Sequence, residues 1–151
     1  MKIALVGHQS KDLKVSKEVV QYWMRDVVDY FFMGHKKKEL ICGGTDGAGE
    51  MFGLLKRFYQ DALLKLYLPI PGYRKTKMDP RLKYLVDITY TMSDEWHDGL
   101  NTMRDRAMIN ECDILMVVWN GKEEGEVWKA VSYARVIGKP IVYFPQSYFE
   151  D

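Results

Sequence analysis

What is scarce sets the first bounds. The chain has only two cysteines, Cys42 and Cys112, far apart and set in or beside apolar runs. They make no CxxC and no His-containing metal spacing, so the expectation is two buried reduced thiols rather than a disulfide framework or a zinc site. His8, His35 and His97 are equally scattered and give no ligand spacing, so no metal is expected. The formal net charge is only +1, too little for a global field toward nucleic acid or an anionic membrane. No apolar run approaches the roughly 20 residues of a membrane span. The opening Met1-Lys2-Ile3-Ala4-Leu5-Val6 meets Gly7-His8-Gln9 at once, unlike a secretory leader, so a cytoplasmic location is expected. Also missing are GxGxxG after the first strand and GxxxxGK[ST], which removes the standard dinucleotide fingerprint and the P-loop. There is no internal repeat and no low-complexity segment.

What remains is an ordinary globular composition: 151 residues, 47% hydrophobic and 28% charged, enough for one domain over 1–151 with a real core. Its most unusual stretch is Ile41-Cys42-Gly43-Gly44-Thr45-Asp46-Gly47-Ala48-Gly49-Glu50, four glycines and two acids behind a short apolar run. Glycine permits positive φ and close approach of a ligand to the backbone, and a loop opening into a helix aims N–H groups at anions. A phosphate cradle and a plain strand-to-helix turn both fit that stretch taken alone.

In chain order, Ile3 to Val6 reads as a central parallel strand covered on both faces. Ser16 is placed to cap a helix with Val20, Trp23, Val27 and Phe31 on one stripe, ended by Gly34. Lys36-Lys37-Lys38 is a solvated connector, Glu39 to Cys42 a second strand, and Met51, Leu55, Phe58 and Ala62 the apolar line of a second helix. Lys65 to Ile70 gives a third strand. Residues 71–98 hold turn signals, aromatics and a basic cluster (Arg74, Lys75, Lys77, Arg81, Lys83), with a short helix near Leu82 and Leu85. A lid over a site and an interface excursion are both open for this segment. A helix follows over 101–110 with Leu100, Met103 and Ala107 on one face. Ile114 to Trp119, the most apolar run, is expected in mid-sheet. Val127, Ala130, Val131 and Ala134 mark a helix stopped by Gly138, and Ile141 to Phe144 makes a fifth strand.

This alternation predicts an α/β fold: a Rossmann-like open doubly wound sheet of about five mainly parallel strands with helices on both faces. Ligands in such sheets bind beyond the carboxyl ends of the strands. That rule gathers Gly7 and His8, then Gly43, Gly44, Thr45, Asp46 and Gly47, then Asn120, Gly121, Gly125 and Glu126 along one rim. The glycines would allow close backbone approach, Thr45 and Asp46 would meet a ribose or a base edge, and Gly121 and Gly125 would hold phosphate. Arg104, near the first turn of its helix, would neutralise that phosphate; Arg106, two residues on, faces elsewhere.

The joint order of four short motifs resembles a known family. Gly7-His8 after the first strand, Gly44-x-x-Gly47 after the second, Arg104-Asp105-Arg106-x-Met108-Ile109-x-x-Cys112-Asp113 before the apolar strand, and Gly125 through Val131-Ser132-Tyr133-Ala134 are similar to the YpsA/YspA branch of the SLOG superfamily. These are Rossmann-like domains related to the DNA-processing protein DprA and to the LOG phosphoribohydrolases. The resemblance covers nearly the whole chain and implies a nucleotide-sensing or nucleotide-processing domain. The chain departs from it in three places. Gly49 stands where YspA-like sequences tend to carry Asp, and Asp105 where Asn tends to follow the Arg. Lys129 occupies the place of the catalytic Glu of LOG enzymes, with Glu126 in place of the turn Thr. An ammonium there opposes an oxocarbenium ion.

Three functions are thereby expected to compete. The first is a holding site for a nucleotide or nucleotide-derived small molecule, with no required cofactor. The second is a nucleoside-5′-monophosphate N-glycosidase using Glu126 or Asp46. The third is a homodimeric module for a protein partner or single-stranded DNA, nucleic acid being the less favoured ligand.

Overall fold

The computed structural model describes residues 1–73 and 79–149. A six-stranded, all-parallel sheet is the frame, in the order β4-β3-β2-β1-β5-β6. The strands are β1 (Lys2–Gly7), β2 (Glu39–Cys42), β3 (Leu63–Leu68), β4 (Ile88–Thr91), β5 (Ile114–Val118) and β6 (Ile141–Tyr143). Between them run α1 (Lys17–Phe32), α2 (Ala48–Leu54, continued by a 3₁₀ turn over Leu55–Phe58), α3 (Pro80–Leu85), α4 (Leu100–Glu111) and α5 (Gly125–Val136).

Successive strand residues point to opposite faces, and both faces are covered. Ile3 and Leu5 join Leu40, Leu64 and Met116 under α1, α2 and α3, whereas Ala4 and Val6 join Ile41, Leu115 and Val117 under α4 and α5. The fold is therefore a three-layer, doubly wound sandwich. Its first winding runs from β1 outward to β4; its second starts again at β5, beside β1.

A lysine is buried in the second layer. Lys65, 8% exposed, places its Nζ 2.6 Å from Glu39 Oε1 and 2.5 Å from Glu111 Oε1. Burial alone would lower its pKa, but the two carboxylates outweigh it and hold the ammonium charged.

The structure departs from the sequence expectations in five places. The sixth strand, β4, lies inside the segment read as an excursion. It is an edge strand with Thr89, Tyr90 and Thr91 exposed, so it presents no apolar run, and its only mark is β-forming residues. Next, β5 stands beside the edge strand rather than in mid-sheet: a continuous apolar run reports cover on both faces, not centrality.

The α1 stripe is Val20, Met24, Val28 and Phe32, one residue on from the expected line; Trp23, Val27 and Phe31 pack against its margin. Apolar doublets at every turn make the two lines equivalent in sequence. Similarly, the buried face of α4 is Leu100, Arg104, Met108 and Ile109, while Met103 is exposed. The second helix tightens into the 3₁₀ turn, which carries Phe58 into solvent and leaves Ala62 beyond it.

The short helix near Leu82 is present, capped by Asp79, whose carboxylate accepts the Arg81 N–H at 2.9 Å and is held down to about 2 by the Arg81 guanidinium. Of the basic cluster, Arg74, Lys75 and Lys77 lie outside the described residues; Arg81 and Lys83 are exposed. Among the described residues, no helix is long and apolar enough to cross a membrane, and no group of three His, Cys, Asp or Glu could hold a metal ion.

Candidate functional site

The chain leaves β1 toward α1 on one face and leaves β5 toward α5 on the other, although the two strands are paired from Ile3–Ile114 to Gly7–Val118. Their loops diverge, and divergence opens a crevice at the carboxyl rim. A cleft of about 880 Å³ occupies it, within the range of small-molecule sites. Strand order fixes the sequence of its lining residues. Tyr73 follows β3, Gly43 and Thr45 follow β2, Gly7 ends β1 with His8 next to it, Asn120, Lys122 and Glu124 lie between β5 and α5, and Gly125, Glu126 and Val127 open α5.

His8 spans the point of divergence. Its backbone N–H donates to Val118 O at 3.1 Å and its Nε2 accepts the Asn120 N–H at 3.0 Å. Accepting at Nε2 requires the neutral ring with its proton on Nδ1. Burial lowers the pKa and favours that form, against the opposing pull of Asp12. Phe149 packs edge-on at 5.7 Å.

The glycine loop shows where its glycines act. Gly47 has φ +87°, and a Cβ there would lie 2.6 Å from His8 O and 2.6 Å from Ser10 N. The loop after β2 is thus pressed against the loop after β1, and the Ala48 N–H donates to His8 O at 3.1 Å. Glu50 N–H donates to Thr45 O at 2.8 Å, so two first-turn amides of α2 are held by carbonyls of these same loops. A Cβ on Gly49 would meet Thr45 Oγ1 at 2.8 Å, so a side chain there requires Thr45 to move. The glycine stretch builds a wall of the cleft; Gly43, Thr45 and Gly49 line it, and Gly44, Asp46 and Gly47 do not.

The floor comes from α4. Arg104 is 7% exposed and its guanidinium lies against Gly43, where a Cβ would stand 3.2 Å from Nε. Its Nε donates to Asp105 Oδ1 at 3.1 Å and its Nη2 lies 3.1 Å from the same oxygen. Burial pushes the Asp105 carboxyl above its ordinary range, against the pull of that guanidinium. Arg104 Nη1 is buried without a hydrogen-bond partner, and so is Asn101 Oδ1. Both residues line the cleft. The third such side-chain atom among the described residues, Arg25 Nε, is on α1, with its guanidinium 4.2 Å over the Phe58 ring.

The first turn of α5 closes the other side. Gly125 takes φ +85° with open space where a Cβ would be, and no side chain caps the helix. Glu126 lines the cleft but its side chain is 58% exposed and 3.6 Å from Lys129 Nζ. Gly121 packs on Gln146 instead of facing the cleft.

Of the residues expected at a site, the cleft collects Gly7, His8, Gly43, Thr45, Arg104, Asn120, Gly125 and Glu126. Sequence reading missed Asn101, Asp105 and Met108. With Arg104 they fall at i, i+3, i+4 and i+7, the spacing of one helix face, but a search for apolar faces passes over a polar one.

Fold and cleft together define a Rossmann-like, doubly wound α/β domain with a pocket at its topological switch point. No family model and no curated protein matches the chain. A solved structure similar to it is that of S. aureus TarJ in complex with NADPH, 13% identical with a TM-score of 0.47. The match covers 88% of this chain and 45% of that one, so the chain spans less than half the length of that protein.

Proposed function

We propose that the cleft binds a nucleotide or nucleotide-derived small molecule and holds it rather than cutting it. One observation carries this reading: two buried polar atoms without partners, Arg104 Nη1 and Asn101 Oδ1, belong to residues lining a cleft at the switch point. An unpaired buried polar group costs about 1–3 kcal/mol, and a ligand that pairs it removes the cost. The resemblance to the SLOG superfamily points the same way.

Charge narrows the ligand. Lys11, Lys14, Arg104 and Lys122 line the cleft, and so do Asp12, Asp105, Glu124 and Glu126, so the formal charges cancel. A polyphosphate finds no net attraction there. A ligand with no more than one phosphate fits the balance better, held at the open first turn of α5 with Lys122 offsetting the Glu124 and Glu126 carboxylates that flank it. Two of the four carboxylates on the cleft have a cation beside them. Asp105 is held by Arg104, and Glu126 has Lys129 beside it, which favours holding over glycosidic cleavage.

The test is a thermal-shift and native-mass panel with AMP, ADP-ribose, NAD and cyclic nucleotides. Ligand at a hundred times its Kd stabilises by about 2.7 kcal/mol, a rise of roughly 5–10 °C for a chain of this size. A melting temperature that no nucleotide moves, together with no bound mass, sinks the reading. Release of free base from nucleoside monophosphates would transfer it to the enzyme class, and loss of that release in Asp105→Asn or Glu126→Gln would name the carboxylate.

A further inference from the structure

We infer that the α4 floor, Asn101 with Arg104 and Asp105, reads a vicinal diol, so that the cleft selects a ribonucleotide over its deoxy counterparts. This rests on the nucleotide reading above and assigns the centre of the same cleft.

Arg104 is the starting point. Two of its nitrogens are directed to Asp105 Oδ1, and its plane lies against the Gly43 backbone. The guanidinium and carboxylate neutralise one another, so this is not an anion site: a phosphate docking at Nη1 would also meet the Asp105 carboxylate. What the floor lacks is a neutral acceptor for Nη1 and a donor for Asn101 Oδ1. A hydroxyl is both donor and acceptor, so a ligand that carries two of them, as a ribose does, can meet both needs. The amide of Asn101 is served in either orientation, since a hydroxyl accepts from the NH₂ as readily as it donates to the oxygen.

A planar base fits elsewhere. The floor offers Gly43, Met108 and polar groups, while Tyr73, an aromatic ring on the cleft, follows β3 and stacks on Trp96 at 5.7 Å and 7°. The open first turn of α5 follows β5. In the sheet order, the end of β2 lies between the ends of β3 and β5, so Gly43 and the Arg104 beneath it are central. Ring toward Tyr73, diol on the α4 floor and phosphate toward Gly125 is also the order in which base, ribose and 5′-phosphate are joined in a mononucleotide.

Calorimetric titration of the full chain with AMP and its 2′-deoxy, 3′-deoxy and 2′,3′-dideoxy analogues tests this. The dideoxy analogue is expected to bind about tenfold or more weakly than AMP, because it leaves the buried groups unpaired. Asn101→Leu and Asn101→Ala should bind AMP and the dideoxy analogue with nearly equal affinity while keeping the wild-type circular dichroism spectrum. Equal binding of AMP and its dideoxy analogue by the wild type overturns the diol assignment and leaves the nucleotide reading standing. Ribose 5-phosphate separates the remaining cases. If it binds and the Asn101 variants lose it while AMP fails, the diol site stands without the base. If neither binds, the diol assignment falls, and the nucleotide reading is decided by the wider panel above.

Discussion

The imidazole of His8 accepts the backbone N–H of Asn120 at 3.0 Å, linking the residues that follow β1 and β5 where the two windings part. The bond exists only while Nε2 is unprotonated, so it ties stability to pH. Burial places the folded-state pKa below the ordinary value of 6.5. As pH falls the unfolded chain takes up this proton first, so the contribution is complete above about 6.5 and is lost progressively below it. The melting temperature should decline as pH falls below about 6.5. His8→Gln, which keeps an acceptor but does not titrate, should flatten that slope; an unchanged slope would assign it elsewhere.

Gly47 and Gly34 both have positive φ, but only Gly47 is crowded. Gly34→Ala adds the left-handed strain alone, about 1–2 kcal/mol. Gly47→Ala adds the same strain plus a Cβ 2.6 Å from His8 O and Ser10 N, and should cost at least about 3 kcal/mol, an estimate that adds a steric penalty to that strain. Urea unfolding of the pair separates conformation from contact. Equal losses would mean that the two loops move apart freely.

Much of the fold is legible in the sequence, and the reasons are physical. Ile3 to Val6 and Ile114 to Val118 announced buried strands because cover on both faces demands continuous apolar residues. Gly7, His8, Gly43 and Asn120 were placed at the rim by the rule that α/β sheets bind ligands there. Edge strand β4 was hidden because an exposed strand needs no apolar pattern. Asn101 and Asp105 were hidden because hydrophobic periodicity sees a polar face as solvent, and only tertiary packing turns α4 so that Arg104 is buried. The glycine content of Gly43 to Gly49 leaves a phosphate cradle and a plain turn both open. Content does not say whether a close approach is made by a ligand or, as at Gly47, by the neighbouring loop.

Cys42 and Cys112 are both buried, and burial pushes both thiols up to about 11. Since the thiolate is the nucleophile, neither should react in the folded protein. Iodoacetamide at pH 8 should leave the native mass unchanged and add two carbamidomethyl groups in urea. Labelling of either thiol without denaturant would show that its layer opens.

Asn101→Leu tests the link between site and stability. Removing a buried acceptor that has no partner should raise the stability of the unliganded protein by about 1 kcal/mol, the usual trade at a site kept ready for a ligand. Lys65→Met should do the opposite. It removes the close cation from Glu39 and Glu111 and should cost about 3 kcal/mol, part of it recovered by adding Glu111→Gln. Denaturant midpoints at constant slope check both.

The walls of the cleft have different parents. The loops leading into α1 and α2, braced on each other through Gly47 and the His8 carbonyl, belong to one helical layer; the first turns of α4 and α5 belong to the other. Between those layers lies only the sheet. A molecule gripped from both sides therefore works as a strut across the sandwich, tying together two halves that the chain folds in separate windings. Its presence would register in slower amide hydrogen exchange throughout α1 and α5 alike, including turns well away from anything the ligand touches.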